Sequence, residues 1–200
     1  RPFGPTIAKV KMPQDLIDKL NEYTESVLSD QNKQDELNYG NKLAGNVKQE
    51  FIIEKDIMDK IGWGKFLAEG VREWVFKTNN KKITQFNIIN SWIVRQFQNE
   101  YNPSHWHGGH VSGVGYLKVP KTLGETSQNN KTMNHNGKLE MVHGSKAFLC
   151  KPTFRVTPRV GDFYFFPHYL MHAVYPFSQC DDERRSVSFN ATVDQSLFNE

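Results

Sequence analysis

Histidines are the residues of this sequence whose spacing most clearly indicates chemistry. All seven lie after residue 100, and three of them fall within the segment His105-Trp106-His107-Gly108-Gly109-His110. In an extended chain, residues i and i+2 point to the same side, so His105 and His107 can direct two imidazoles at one ion. This spacing predicts a metal site, and the alternative is a pair of ordinary histidines in an exposed loop.

A third histidine follows a strongly apolar segment further along the chain. Gly161 and Asp162 mark a turn, the run 163–166 has the composition of a buried strand, and His172 comes after a short loop between apolar neighbours. We expect His168, in the same loop, to be exposed. His172 is therefore the better candidate for a third ligand.

The segment 184–190 alternates strictly between polar and apolar residues. Val187 and Phe189 occupy one face, and the opposite face carries the polar side chains of Arg184, Ser186, Ser188 and Asn190. The polar face either meets water or lines a polar cavity. In a cavity, the forked guanidinium of Arg184 could bind a carboxylate, with the Ser186 hydroxyl beside it.

Composition excludes several classes of protein. The chain has 200 residues, 38% hydrophobic and 12% aromatic, with a formal net charge of +3, so a folded domain with no strong attraction to nucleic acid or anionic membranes is expected. Cys150 and Cys180 are too few for a disulfide framework. With no apolar run long enough to cross a bilayer, we expect a cytoplasmic protein, in the host cytoplasm if it is viral.

The elements that position these residues fall into two parts of one expected domain, a helical flank over about 1–82 and a β core over about 83–200. Apolar periodicity predicts helices over 13–29 and 65–78, and the polar stretch 31–48 is interpreted as a loop. Runs of β-branched and aromatic residues predict strands over 86–97, 111–119, 148–156, 163–166 and 184–193. Helices followed by many short strands favour a mainly β fold, a jelly roll with the helices packed on its outside.

Taken in order, these segments resemble a known family over residues 90–190. The matching motifs are Ser91-Trp92, His105-Trp106-His107, Ser112 to Pro120, Gly137 to Glu140, Gly161-Asp162, Phe165 to Pro167, His172 and Arg184 to Ser186. They resemble the small 2-oxoglutarate- and Fe(II)-dependent oxygenases of bacteria and tailed phages, which are prolyl-hydroxylase-like. The resemblance implies a double-stranded β-helix, a jelly roll whose open end holds the metal.

The resemblance also implies the cofactors, Fe(II) and 2-oxoglutarate, and the roles of individual residues. His105 and His172 match iron ligands, and Arg184, Ser186 and Tyr116 match positions that bind the far carboxylate of 2-oxoglutarate. The implied reaction binds O2 and decarboxylates the keto acid to succinate and CO2 while a substrate is oxidised. No catalytic residue is expected beyond the metal centre.

His107 departs from the family pattern, which has Asp or Glu at this position. We favour His107 as the third ligand, which gives three neutral imidazoles. Two alternatives stay open. In the first, His107 does not bind, and the open coordination site admits a halide. In the second, His110 replaces His107 as a ligand.

The substrate expected from the resemblance is a peptide side chain or a small metabolite, with hydroxylation as the reaction. Trp106, His110 and Arg95 are candidates for contacting it. Two other functions are possible on these residues: a cupin-like metalloprotein with three histidines that does not use 2-oxoglutarate, and a jelly-roll binding module without catalysis.

Overall fold

Two antiparallel β-sheets form the body of the protein. The computed structural model describes residues 4–128 and 130–198. The larger sheet has the strand order β1-β8-β5-β10-β3-β2, and the smaller one β4-β9-β6-β7. The strands are β1 (Ala8–Lys11), β2 (Gln49–Ile52), β3 (Phe86–Gln96), β4 (Asn102–His105), β5 (Val111–Lys118), β6 (Leu139–Val142), β7 (Thr153–Val156), β8 (Asp162–Pro167), β9 (Met171–Val174) and β10 (Arg184–Val193).

Helices cover the outer face of the larger sheet. They are α1 (Gln14–Leu28), α2 (Gln31–Glu36), α3 (Lys55–Ile61) and α4 (Trp63–Asn79). Leu20 of α1 and Leu67 of α4 share one apolar core with Phe163 and Phe189 of the sheet. The predicted fold class, a mainly β double-stranded β-helix with helices on its outside, is confirmed.

The strand β10 lies in the middle of the larger sheet, paired with β3 on one side and β5 on the other. Its apolar face, with Val187 and Phe189, packs into the core beneath the helices. Its polar face is also buried, since Arg184 is 2% exposed and Ser186 is 4% exposed. Of the two interpretations of this alternation, the buried polar face is the one observed.

Sequence periodicity predicted the long elements well and the short ones poorly. The helices at 13–29 and 65–78 are confirmed, as are the strands at 86–97, 111–119, 163–166 and 184–193 to within a residue or two. The loop predicted over 31–48 is wrong over 31–36, which form α2. Asp30 caps this helix by accepting hydrogen bonds from the backbone N–H groups of Asn32 and Lys33. A polar six-residue helix has no apolar face to reveal it.

The strand predicted over 148–156 is shorter than expected. Only Thr153–Val156 is extended, whereas Leu149 has a φ of 61° and the N–H of Cys150 donates to the carbonyl of Ala147. Phe148 and Leu149 are almost fully exposed at this turn. The apolar side chains of Phe148 and Leu149 are typical of a buried strand, but here they lie in an exposed turn.

The first 82 residues are more than a helical flank. They contribute β1 and β2, which form the two edges of the larger sheet, and the sequence analysis missed both. The organisation as one domain stays a prediction. No helix in the described ranges is both long and apolar enough to cross a membrane.

Gly113 in β5 makes room for the aromatic core. A Cβ at this position would lie 2.6 Å from the Phe189 ring, 2.7 Å from the Phe163 ring and 2.8 Å from the carbonyl oxygen of Tyr164. We therefore expect Gly113→Ala to destabilise the protein by about 1–3 kcal/mol and to lower Tm in thermal denaturation by roughly 3–10 °C. Gly108→Ala is the matched control, since a Cβ there meets nothing within 4 Å; equal Tm values for the two variants would contradict this account.

Candidate metal centre

Three histidines meet where the smaller sheet borders the cavity between the sheets. His105 ends β4 and His172 lies opposite it on β9, and His107 follows in the loop after β4. One nitrogen from each of the three lies within 4.8 Å of the other two, and Nε2 of His107 is 3.1 Å from Nε2 of His172. Two nitrogens bound to one ion at right angles, each at about 2.1 Å, would be about 3 Å apart, so the spacing suits shared coordination.

Backbone carbonyls orient two of these rings. Nδ1 of His105 is 2.6 Å from the carbonyl oxygen of Pro103, and Nδ1 of His172 is 2.8 Å from that of Leu170. Because a carbonyl only accepts, each Nδ1 carries the proton, and each Nε2 offers a lone pair to the cluster. Such outer hydrogen bonds typically fix the orientation of metal-binding histidines.

His107 is held through its backbone and by an aromatic neighbour. The backbone N–H of His107 donates to the carbonyl of His168 at 3.1 Å. In return, Nδ1 of His168 lies 2.9 Å from the carbonyl oxygen of His107. The Trp92 ring lies edge-on to its imidazole at 5.6 Å between ring centres. His168, expected to be an exposed loop residue, is partly buried and fastens the ligand loop to the segment before β9.

Burial and mutual repulsion keep the histidines neutral. Burial, with the neighbouring His172 and His105, lowers the pKa of His107 to about 3, and burial with His105 lowers that of His172 to about 4. Neutral imidazole is the form that binds a metal. Within the described ranges, the cluster of metal-ligating groups holds these three histidines and no carboxylate.

The three histidines line one cavity together with Tyr116 and Arg184. The wall of the cavity also includes Lys42, Gly45, Glu50, Trp92, Asn102, Trp106 and Ser186. Trp106 is 65% exposed and so stands at the mouth. The sequence-predicted ligands and anion-binding residues are therefore brought into a single site.

Arg184 is buried in the wall of this cavity without a carboxylate partner. Nη1 donates to Oε1 of Gln96 at 2.5 Å, and Nε has no partner. Among residues 4–128 and 130–198, no carboxylate lies within ion-pair distance of its guanidinium. The guanidinium carbon lies 5.1 Å from the centre of the Tyr116 ring, whose buried hydroxyl interacts with Arg184 but has no well-aligned hydrogen bond.

The chemistry of these groups suits an anion. Burial raises the pKa of the Tyr116 hydroxyl, which keeps its proton available for donation. Burial lowers the pKa of Arg184, yet a guanidinium stays protonated in proteins. Ser186, opposite Tyr116 in the β10–β5 pair, adds a hydroxyl on the same face.

The structure places two predicted substrate contacts elsewhere. The Arg95 guanidinium pairs with Glu183, Nε to Oε1 at 2.9 Å. His110 binds the far end of β10, where its N–H donates to the Ala191 carbonyl and its Nδ1 accepts from the Val193 N–H at 3.0 Å. Neither residue lines the cavity, so the geometry gives their predicted role no support.

Sequence reasoning missed a buried acid in the cavity wall. Glu50 of β2 is 3% exposed, and its Oε2 has no partner. Burial, with the negative charge of Glu100, raises its pKa to about 7. A single acidic residue in a four-residue strand shows no periodicity, so no signal in the sequence distinguished Glu50 from exposed acids.

The assignment of His107 rather than His110 as the third ligand can be tested by substitution. Because loss of even an outer hydrogen bond typically costs 10–100-fold in metal affinity, we expect His107→Ala to weaken Fe(II) or Co(II) binding by more than about 100-fold in competition titrations. His110→Ala should leave the affinity within a few-fold. The opposite pattern would show that His110 is the ligand.

The buried carboxyl of Glu50 predicts a pH-dependent stability. Its pKa is raised on folding, from 4.5 to about 7, so the wild-type protein loses stability as pH rises through this interval. Glu50→Gln has no such loss, and we expect it to be more stable by about 1–3 kcal/mol at pH 8.

Chemical denaturation at pH 4 and pH 8 measures this effect. At pH 4 the two proteins should differ little, since Glu50 is then protonated in both the folded and the unfolded state. Glu69→Gln, at an exposed position of α4, is the control and should show no comparable change. A stabilisation by Glu50→Gln that is the same at both pH values would argue against a raised pKa.

Comparisons with known proteins agree with this geometry. The family described as "Putative 2OG-Fe(II) oxygenase" matches residues 90–190. Among curated proteins, none matches the chain significantly.

Solved structures of similar fold include a Pseudomonas putida prolyl-4-hydroxylase (16% identity, 94% of this chain and 91% of that chain covered, TM-score 0.58). A viral collagen prolyl hydroxylase from Paramecium bursaria Chlorella virus-1, in complex with 2-oxoglutarate, has 14% identity, coverage of 92% and 94%, and a TM-score of 0.57. HygX from Streptomyces hygroscopicus, with nickel and 2-oxoglutarate bound, has 11% identity, coverage of 94% and 83%, and a TM-score of 0.59.

These three similarities show the fold, and the family match covers the strands and loops that carry the histidine cluster and Arg184. The chain belongs to the 2OG-Fe(II) oxygenase family.

Proposed function

We propose that His105, His107 and His172 hold the Fe(II) of this oxygenase, and that Arg184, Tyr116 and Ser186 bind 2-oxoglutarate. The unpaired guanidinium of Arg184 is the observation that carries this assignment. It supports an anionic ligand in a family whose cosubstrate is a dicarboxylate.

Energetics favour occupation of the Arg184 site by a carboxylate. A buried charge without a partner costs several kcal/mol, because the protein interior solvates it poorly. A carboxylate placed against Nε and the free guanidinium nitrogens would regain much of this cost through charge-assisted hydrogen bonds. The Tyr116 hydroxyl, which has no well-aligned hydrogen bond in the protein, would donate to the same group.

The histidine cluster fits a divalent iron. Imidazole nitrogens are good ligands for Fe(II), and the Nδ1 hydrogen bonds of His105 and His172 leave both Nε2 atoms free to coordinate. Three neutral ligands leave the centre one unit more positive than two histidines and a carboxylate would. This extra charge strengthens attraction for dianionic 2-oxoglutarate.

The reaction we propose is hydroxylation of a peptide side chain or small metabolite, with O2 as cosubstrate. When bound, Fe(II) with 2-oxoglutarate supplies the oxidation of a substrate C–H bond, with succinate and CO2 as co-products. The protein residues orient the keto acid and exclude water from the buried end of the cavity. Trp106 lines the entrance through which the substrate would reach the site. We further propose that the chain is a single domain and works in the cytoplasm without a nucleic-acid or membrane partner.

The absence of a carboxylate from the cluster among the described residues favours one competing function. A cupin-like protein with three histidines would bind metal without any need for 2-oxoglutarate. Such a protein would have no need for a buried Arg184 in the same cavity. The two functions therefore differ in whether Arg184 binds 2-oxoglutarate.

Substitution of Arg184 separates these functions. Truncating one partner of a buried, charged hydrogen-bonded pair costs about 2–5 kcal/mol, so Arg184→Gln should weaken 2-oxoglutarate binding by roughly 30-fold or more and leave metal affinity unchanged. Anaerobic titration of the Fe(II)-loaded protein, followed by the visible charge-transfer band of the chelated keto acid, measures the binding.

Arg155→Gln is the matched control, because Arg155 lies on β7 and pairs with Glu140 rather than facing the cavity. It should bind 2-oxoglutarate as the wild type does. Stoichiometric metal without any charge-transfer band in the wild-type protein would favour the cupin-like function instead.

A further inference from the structure

A second group of unpartnered atoms lies in the cavity wall, away from Arg184. Glu50 on β2 is in register with Val94 on β3, which is in register with Ser186 on β10. Neighbouring strands are about 4.8 Å apart, so Glu50 lies about 10 Å across the sheet from Ser186. Glu50 thus lies at one end of this row, and Ser186 at the other end is two residues from Arg184 on the same strand.

The atoms at the Glu50 end are hydrogen-bond acceptors without donors. Oε2 of Glu50 and Oδ1 of Asn102 are both buried and unpartnered. The second carboxylate oxygen of Glu50 and Oδ1 of Asn102 meet at Gly45, where a Cβ would lie 3.0 Å from Oε1 of Glu50 and would collide with Oδ1 of Asn102. All three residues line the same cavity as the histidines.

The surroundings of this acceptor pair are negatively charged. The carboxylate of Glu100, which contributes to the raised pKa of Glu50, is fixed by the backbone N–H groups of Lys48 and Phe97. Lys42 lines the cavity too, but in the described part of the chain it forms no ion pair with Glu50. The protein thus supplies acceptors and negative charge without a matching donor.

We propose that Glu50 and Asn102 form a substrate subsite for a cationic nitrogen group, an ammonium or a guanidinium. Such a group donates several hydrogen bonds. It also carries the positive charge that would balance the buried carboxylate of Glu50. Since Glu50 has a second acceptor beside it, the site suits a group that donates more than one hydrogen bond, as an ammonium or a guanidinium does. This inference rests on the proposed function, because the reacting carbon of the substrate would have to reach the histidine cluster.

Aromatic residues connect the subsite to the metal-binding histidines. Trp92 lies in the cavity wall, with its ring 6.4 Å from that of Tyr39 and 5.6 Å from that of His107. Trp106 flanks the mouth. An apolar stem ending in a cationic group, as in lysine or arginine side chains, would lie along indole surfaces while its charged end meets Glu50.

Small cations test the subsite directly. The probes are n-butylammonium and n-butylguanidinium, with n-butanol as the neutral analogue. Each is titrated into ¹⁵N-labelled, Zn(II)-loaded protein, with and without 2-oxoglutarate, and followed by NMR at the Gly45 amide and the Asn102 side-chain amide. We expect saturable shifts with both cations, and binding at least 10-fold weaker for n-butanol.

Substitutions assign the binding to this group. Glu50→Gln, which keeps the shape, should weaken cation binding at least 10-fold, and Gly45→Ala should abolish it by filling the space between the two oxygens. Glu69→Gln, an exposed acid of α4, should leave it unchanged. Zn(II) affinity should be the same in all of these proteins.

Three results would overturn the subsite: equal binding of butanol and the cations, cation binding that survives Glu50→Gln, or a fall in Zn(II) affinity with Glu50→Gln, which would make Glu50 a metal ligand. Failure of the proposed function gives a different result. In that case the wild type fails to bind 2-oxoglutarate, while cation binding measured without the keto acid still decides the subsite.

Discussion

Arg184 carries a positive charge into the protein interior, where no carboxylate within the described residues meets it. Such a buried charge is costly, and a side chain that keeps it in one place must be held by the surrounding structure, while a bound anion would offset the cost. That support comes from β10, which is paired along both edges and packed from behind by α1 and α4. The rigid position of one guanidinium therefore depends on the whole larger sheet and on the helices that cover it.

The next residue shows how strictly strand geometry assigns these roles. Arg185 points to the opposite face, where its guanidinium is fully paired with Glu183 and Glu25 and hydrogen-bonded to Asn21 of α1. Two adjacent arginines are thus equally buried but differ in their partners. Arg185 fastens a helix to the sheet, and Arg184 has no carboxylate partner among the described residues. The smaller sheet and the loop after β4 contribute the histidines, so the cavity joins the proposed anion receptor of one sheet to the proposed metal ligands of the other.

Much of this site could be predicted because its signals are local. The i, i+2 spacing of His105 and His107 and the alternation of β10 are visible in a few consecutive residues, and the long helices show regular apolar spacing. Glu50 could not be predicted, because its burial follows from a four-residue edge strand whose pairing with β3 is not encoded nearby. The ion pair of Arg95 with Glu183 could not be predicted for the related reason that Glu183 lies far along the chain.

Direct pairing of His105 with His172 across β4 and β9 has a consequence for the stability of the smaller sheet. Each of its four strands has only four residues, which is short for a sheet that must hold its shape. An ion bound by both histidines and by His107 would act as a cross-link between two strands and the following loop. By mass action, the free energy of metal binding would be added to that of folding. The stability of the smaller sheet would therefore depend on the concentration of available metal.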